Sequence, residues 1–224
     1  MLKQIFPNVI HIWPQFLQSI WETIYMTFWS SLIAGIIGLA IGIVLVITQK
    51  GGIAEDPYVY SLTDKIVNFL RSIPFIILLA VMFPITNFIV HTTVGTTAAL
   101  VPLVVGIFPF YARQVQNALL EIDPQVIEAA RSTGSSTTEI IFRIYLREGL
   151  PDLIRASIVT VISLIGLTTM AGAIGSGGLG DIAISIGYAR FENDVTVAAM
   201  LVILVLVFLV QIIGDWFAKK TIHL

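Results

Sequence analysis

Long apolar runs alternate with short polar segments along this chain, and one polar segment is much longer than the rest. The apolar runs occupy roughly residues 20–48, 66–90, 95–112, 154–175 and 195–216. A helix needs roughly 17–25 apolar residues to cross the hydrocarbon core, and a longer run accommodates by tilting. The pattern therefore predicts an all-α, polytopic membrane protein with five transmembrane helices. Residues 1–18 read as an external amphipathic lead, with Trp13 and Trp21 where interfacial aromatics sit. Residues 19–224 read as one membrane domain.

The long polar segment covers about 113–153 and resolves into two short helices. Asp123 is a good N-cap and Pro124 a good first-turn residue, so one helix begins there. Glu128 and Arg131 lie one turn apart and are expected to pair. Gly134 supplies a helix stop. Ser136 with Glu139 is a capping box that opens a second helix, and Glu139 and Arg143 are spaced i,i+4 in the favourable order. Gly149 and Pro151 mark the start of the fourth span.

Other punctuation is local. Ser30, Ala34, Gly38 and Gly42 form a strict four-residue stripe of small residues. Such a stripe lets two helix backbones approach closely, either inside the chain or against a second subunit. Pro74 and Pro84 are expected to kink or break the second span, and Pro102 and Pro109 the third. Arg71 marks an interface where a long cationic side chain reaches the headgroups. Gly175, Gly177 and Gly180 formally match a dinucleotide-binding pattern, but no βαβ unit surrounds them. A tight external turn or a re-entrant piece is the expectation there.

Composition agrees with the pattern: 57% of the 224 residues are hydrophobic and 12% charged, with a mean hydropathy of +0.94. The absence of cysteine excludes disulfide and thiolate chemistry. The placement of charge says more than the net value of −2. Lys50, Lys65, Arg71, Arg113, Arg131, Arg143, Arg147, Arg155, Lys219 and Lys220 fall on one side of the five-span scheme, and only Lys3 and Arg190 on the other. The positive-inside rule then places the C-terminus and the 113–153 loop in the cytoplasm and the N-terminus outside. No nucleic-acid partner is expected.

No catalytic constellation is visible. There is no Gly-Lys-Ser/Thr phosphate loop, and His11, His91 and His223 form no metal-ligand pair with a nearby His or Glu. The middles of the spans carry no Asp, Glu, Lys, Arg or His, whereas ion-driven carriers place ionisable groups there. The cytoplasmic helix pair is the surface through which energy from another protein would enter.

Glu128-Ala129-Ala130, Gly134, Ile144 and Leu146, at this spacing, resemble the cytoplasmic signature of importer permeases of the ATP-binding cassette class. Arg147 stands where that family usually has Pro. Arg71–Leu79, Val94–Ala99, Pro109–Arg113, Gly177–Asp181 and Gly187–Phe191 look like the methionine-uptake members of the class. The resemblance implies a non-catalytic subunit of a bacterial inner membrane, importing methionine, the L form with the D form as an open option. The selectivity between the two forms is left open by the residues. The resemblance also implies a homodimer that works with two ATPase subunits and an external substrate-binding protein. ATP and Mg would be bound by the ATPase partner, with no cofactor in this chain. Glu128, Ala129, Ala130, Gly134, Ile144 and Leu146 would couple to the ATPase. Ser163, Thr168, Thr169 and Met170 are candidates for the translocation path, with plain helix packing as the competing reading. The residues also leave open another amino acid or small solute in the same class, or an ion-coupled carrier or channel.

Overall fold

The structure, a computed structural model, describes residues 5–221, so Lys3 and His223 lie outside it. Every regular element among the described residues is helical. A short helix α1 (Pro7–His11) leads into α2 (Trp13–Thr48), followed by α3 (Pro57–Ser72), α4 (Phe75–Val81) and α5 (Phe83–Val90). Then come α6 (Thr96–Leu120), α7 (Pro124–Ser132), α8 (Thr137–Ile140), a π-helical turn (Ile141–Tyr145) and α9 (Leu146–Glu148). The chain ends with α10 (Leu150–Ala171), α11 (Gly178–Asp181) between two π-helical turns (Gly172–Ser176 and Ile182–Tyr188), and α12 (Asn193–Thr221).

Four helical stretches are long and apolar enough to cross a membrane: Trp13–Thr48, Thr96–Leu120, Leu150–Ser176 and Asn193–Thr221. The stretch read as the second span, 66–90, is instead divided among α3, α4 and α5. Pro74 explains the first break, because a proline excludes its predecessor, Ile73, from helical backbone. The second break falls at Met82, and Pro84 sits in the first turn of α5, where its missing N–H costs nothing. Of the kink or break expected at Pro102 and Pro109, the break does not occur; both are buried and α6 continues through them.

Two boundaries also move. Helix α2 begins at Trp13 rather than near residue 20, with Pro14 in its first turn. Helix α6 runs on to Leu120, so the polar loop spans 121–149 and not 113–153. Arginine is a good helix former, so a charge at 113 ends the apolar run without ending the helix. Its guanidinium donates to Asp64 Oδ1 (2.6 Å), Asn68 Oδ1 (3.0 Å) and Gln116 Oε1 (2.5 Å).

Contacts divide the described chain into two units. The first comprises the described residues of Met1–Ile33 with Ile73–Gly106 and Val161–Gln211. Its core gathers Val9, Phe16, Leu179, Ile182, Ile186, Val195 and Ala199. Asp194 accepts from the backbone N–H and the side-chain amide of Asn8, each at 2.9 Å, and ties α1 to the start of α12. The glycine-rich stretch is neither a strand nor a dinucleotide loop. Ile174 and Gly175 leave helical geometry, and Gly177 and Gly178 take φ of +84° and +79°. The freed N–H of Gly178 donates to Glu22 Oε2 (2.7 Å), and that of Leu179 to Thr23 Oγ1 (2.8 Å), so the first turn of α11 is capped by α2.

The second unit comprises Ala34–Ser72, Ile107–Thr160 and the described residues of Ile212–Leu224. Val46, Tyr111, Val115, Leu119, Ile140, Tyr145 and Leu153 are buried together in it. Here the glycine stripe serves packing within the chain. A Cβ on Gly38 would lie 2.8 Å from Tyr111 Cδ1, and one on Gly42 2.6 Å from Val115 Cβ. The Tyr111 hydroxyl shares a 2.8 Å hydrogen bond with Ser157 Oγ.

Candidate functional site

The 121–149 loop is held in shape by its own caps. The Asp123 carboxylate accepts from the Gln125 N–H at 2.8 Å and opens α7, with Pro124 in the first turn. Gly134 takes φ +83°, a conformation that only glycine adopts without strain, and turns the chain between α7 and α8. At α8 the capping box is complete: Glu139 Oε2 accepts from the Ser136 N–H (2.9 Å) and hydroxyl (2.8 Å), while Ser136 Oγ accepts from the Glu139 N–H (3.3 Å). These bonds from Ser136, aided by Arg143 at 3.7 Å, hold the Glu139 carboxyl below its usual range. Glu139 and Arg143 thus meet as expected.

Glu128 and Arg131 do not. Arg131 Nη2 donates to the Gly52 carbonyl at 2.8 Å, which joins α7 to the loop that follows α2. A main-chain carbonyl fixed in position wins over a carboxylate on an exposed helix face, where an ion pair contributes little.

The six residues of the loop signature divide into two groups. Ala130, Ile144 and Leu146 are partly buried and pack, with Ile127 and Ile141, against the core around Tyr145, Ile140 and Leu119. Glu128, Ala129 and Gly134 are exposed. The first group anchors the loop to the helices, and the second faces outward. Tyr145 lies at the centre of the anchor, and burial pushes its phenol above the usual value while the Arg131 charge opposes the rise. Arg147 is exposed on α9, and the helix stops two residues later at Gly149. A side chain at Gly149 would meet the Tyr145 carbonyl at 2.6 Å and Leu119 Cδ2 at 2.8 Å, so the chain turns into α10 at a position with no room for one.

Phe142 was not singled out by sequence reasoning. It stands in the π-helical turn with 65% of its surface exposed, on the outward side of a segment whose neighbours Ile140 and Tyr145 are buried. The signal was available: an aromatic in a charged loop, out of phase with the apolar positions 140, 141, 144 and 145.

The four candidates for the path on α10 also separate. Thr168 is 1% exposed, and its hydroxyl donates to the Ile165 carbonyl at 2.8 Å. Thr169 donates to the same carbonyl at 3.0 Å. Both are satisfied by their own helix, as hydroxyls in apolar surroundings commonly are. Met170 is 38% exposed and Ser163 half-buried, and the two are seven residues apart, two helical turns along one face.

Comparison with known proteins places this arrangement. Residues 51–223 match the family described as "Binding-protein-dependent transport system inner membrane component". The chain is 46% identical over 217 residues to the methionine import system permease protein MetP of Bacillus subtilis, covering 96% of each. It is 44% identical over 212 residues to the probable D-methionine transport system permease protein MetI of Pasteurella multocida, covering 95% of this chain and 98% of that one. A solved inward-facing form of the MetNI methionine ABC transporter superposes with a TM-score of 0.92 at 41% identity, over 94% of this chain and 97% of that one. With its apolar helices, its capped loop and a match over most of its length, this chain belongs to the family of binding-protein-dependent transport system inner membrane components.

Proposed function

We propose that the chain is the membrane subunit of an ATP-driven importer of methionine. It acts as a homodimer with two ATPase subunits and an external substrate-binding protein. The observation that carries this reading is the two-sided loop at 121–149. One side is fixed to the transmembrane core by Ala130, Ile144 and Leu146, and the other presents Glu128, Ala129 and Phe142. A loop anchored in this way moves with the helices, so force applied to its outer face reaches α6 and α10 without being lost in bending. The names of the relatives supply methionine as the substrate.

In this reading ATP and Mg²⁺ are held by the ATPase partner, which performs the hydrolysis. The loop and the C-terminus face the cytoplasm and the N-terminus lies outside, because the lysines and arginines gather on the loop's side. Ser163 and Met170 line the path, and Thr168 and Thr169 stabilise the helix that carries them.

The test is reconstitution of the chain with its ATPase and binding protein in proteoliposomes. Labelled methionine accumulates only when ATP and both partners are present. Uptake that persists without the ATPase would overturn the reading in favour of an ion-coupled carrier or channel. Accumulation of a different amino acid under the same conditions would replace the substrate alone.

A further inference from the structure

A groove of about 260 Å³ opens where α6 ends and α10 begins, within the second unit. Gln114, Asn117 and Glu121 line it from one side at i, i+3 and i+7, a polar face at the end of an otherwise apolar helix. Asp152 and Arg155 line the other side. The buried residues Ala118 and Ala156 form its floor, and the hollow exists because both stop at Cβ.

The charges in this groove are not mutually satisfied. Arg155 Nη1 donates to Asp152 Oδ1 at 2.7 Å, and that bond uses one of the five guanidinium donors. Among the described residues Glu121 takes part in no ion pair. The site therefore offers cationic donors on one wall, a carboxylate without a counter-ion on the other, and an apolar floor. Two carboxylates against one guanidinium disfavour an anionic lipid headgroup or phosphate. The volume is below the range of drug-sized pockets, roughly 300–1,000 Å³, and suits a smaller molecule.

We infer that this groove binds the ammonium and carboxylate of a neutral α-amino acid, as a weak site at the cytoplasmic end of the path. The inference rests on the import reading above, and it deepens that reading by giving the substrate a place to pause before release. Glu121 accepts from the ammonium, the free edge of Arg155 donates to the carboxylate, and the apolar side chain lies over Ala118, Ala156 and Val159. Glu121 and Asp152 flank the 121–149 loop, so an occupant bridges the two points from which that loop hangs.

The test uses the permease purified with its ATPase subunits, without binding protein or ATP, titrated with L-methionine, methionine methyl ester and N-acetylmethionine. Methionine binds saturably and weakly. The ester, which lacks the carboxylate, and the N-acetyl compound, which lacks the ammonium, each bind about ten-fold more weakly or worse, as expected for one lost charge-assisted contact. Glu121→Gln weakens methionine to a similar extent and leaves N-acetylmethionine unchanged, while Arg155→Gln does the same for methionine and the ester. Absence of saturable methionine binding, or equal binding of all three ligands to the wild-type complex, overturns the proposal, and the latter needs no variant to fold. ATP-driven methionine uptake by the same preparation separates the two failures. If uptake proceeds while the titration fails, only the groove assignment falls; if uptake itself is absent, the import reading falls with it.

Discussion

The guanidinium of Arg131 and the carbonyl of Gly52, 79 residues apart in sequence, are joined by a 2.8 Å hydrogen bond. The bond turns two separate loops into one piece: the turn after α2 and the helix that carries the exposed Glu128 and Ala129. Replacing Arg131 with Ala removes it. Since the arginine is exposed, the loss of stability is about 1 kcal/mol or less. The functional loss is larger, because α7 gains freedom relative to α2. Hydrogen exchange should accelerate over residues 124–132, and ATP hydrolysis should continue with less methionine transported per ATP. Exchange unchanged from wild type would show that the bond does not hold the loop.

Phe142 has the profile of an interface anchor: large, aromatic and 65% exposed on a fixed backbone. Phe142→Ala should leave the permease folded and weaken its association with the ATPase by about thirty-fold, the loss typical of a hot-spot residue at 2 kcal/mol. Size-exclusion and titration of the two purified subunits measure this directly. Wild-type affinity in the variant would place docking elsewhere on the loop.

Gly42 has no room for a side chain. Gly42→Ala sets a methyl 2.6 Å from Val115 Cβ and 2.7 Å from the Ala112 carbonyl. The α2–α6 contact must open, at about 1–3 kcal/mol for an overpacked site. Thermal unfolding in detergent should shift down accordingly. Gly35→Ala, with nothing within 4 Å, is the matched control and should leave the unfolding temperature unchanged or raised.

Ser30 presents the opposite case. Its hydroxyl is buried without a hydrogen-bond partner among the described residues, and the residue is 0% exposed. An unsatisfied buried polar group costs about 1–3 kcal/mol, so Ser30→Ala should be neutral or stabilising. A lower unfolding temperature for this variant would show that the hydroxyl has a partner in the working assembly.

The cap on α8 gives a pH dependence whose sign is determined. The Ser136 bonds hold the Glu139 carboxyl below its unfolded value. A group depressed in the folded state contributes its stability above its unfolded pKa, about 4.3, and loses it as pH falls through the folded value. Exchange at the amides of residues 137–140 should therefore be slow at neutral pH and accelerate on acidification below about pH 4. Glu139→Gln keeps the acceptor but cannot titrate, so its exchange should lose that acid step. An unchanged acid step in the Gln variant would assign the transition to another group.

What sequence reasoning captured was local. Asp123, Gly134 and the Ser136–Glu139 box act over three or four residues, and each is found where its spacing placed it. The break at Pro74 follows from the same short-range sterics. The misreadings come from partners far away in the chain. Arg113, past the apolar run of α6, is taken up by Asp64, and Arg131 turns from Glu128 to a carbonyl in another loop. Pro102 and Pro109 are tolerated because packing supports α6 on both sides of them. Ala130, Ile144 and Leu146 belong to a recognisable signature, yet that they pack onto the loop's own core depends on the buried Tyr145, which no spacing reveals.

The cap on α11 also sets an order of assembly. Glu22 belongs to the first long helix made, and the N–H that it receives, on Gly178, is 156 residues later in the chain. At ribosomal rates of about 5–20 residues per second, roughly eight to thirty seconds pass between their appearances. Throughout that time the Glu22 carboxylate is without its main-chain donor, near one end of a helix already committed to the bilayer. Until then the carboxylate has only the side-chain amide of Gln18, one turn back on its own helix, as a donor. The seam between the first helix and the broken segment 172–181 is therefore among the last parts of this unit's helix capping to close.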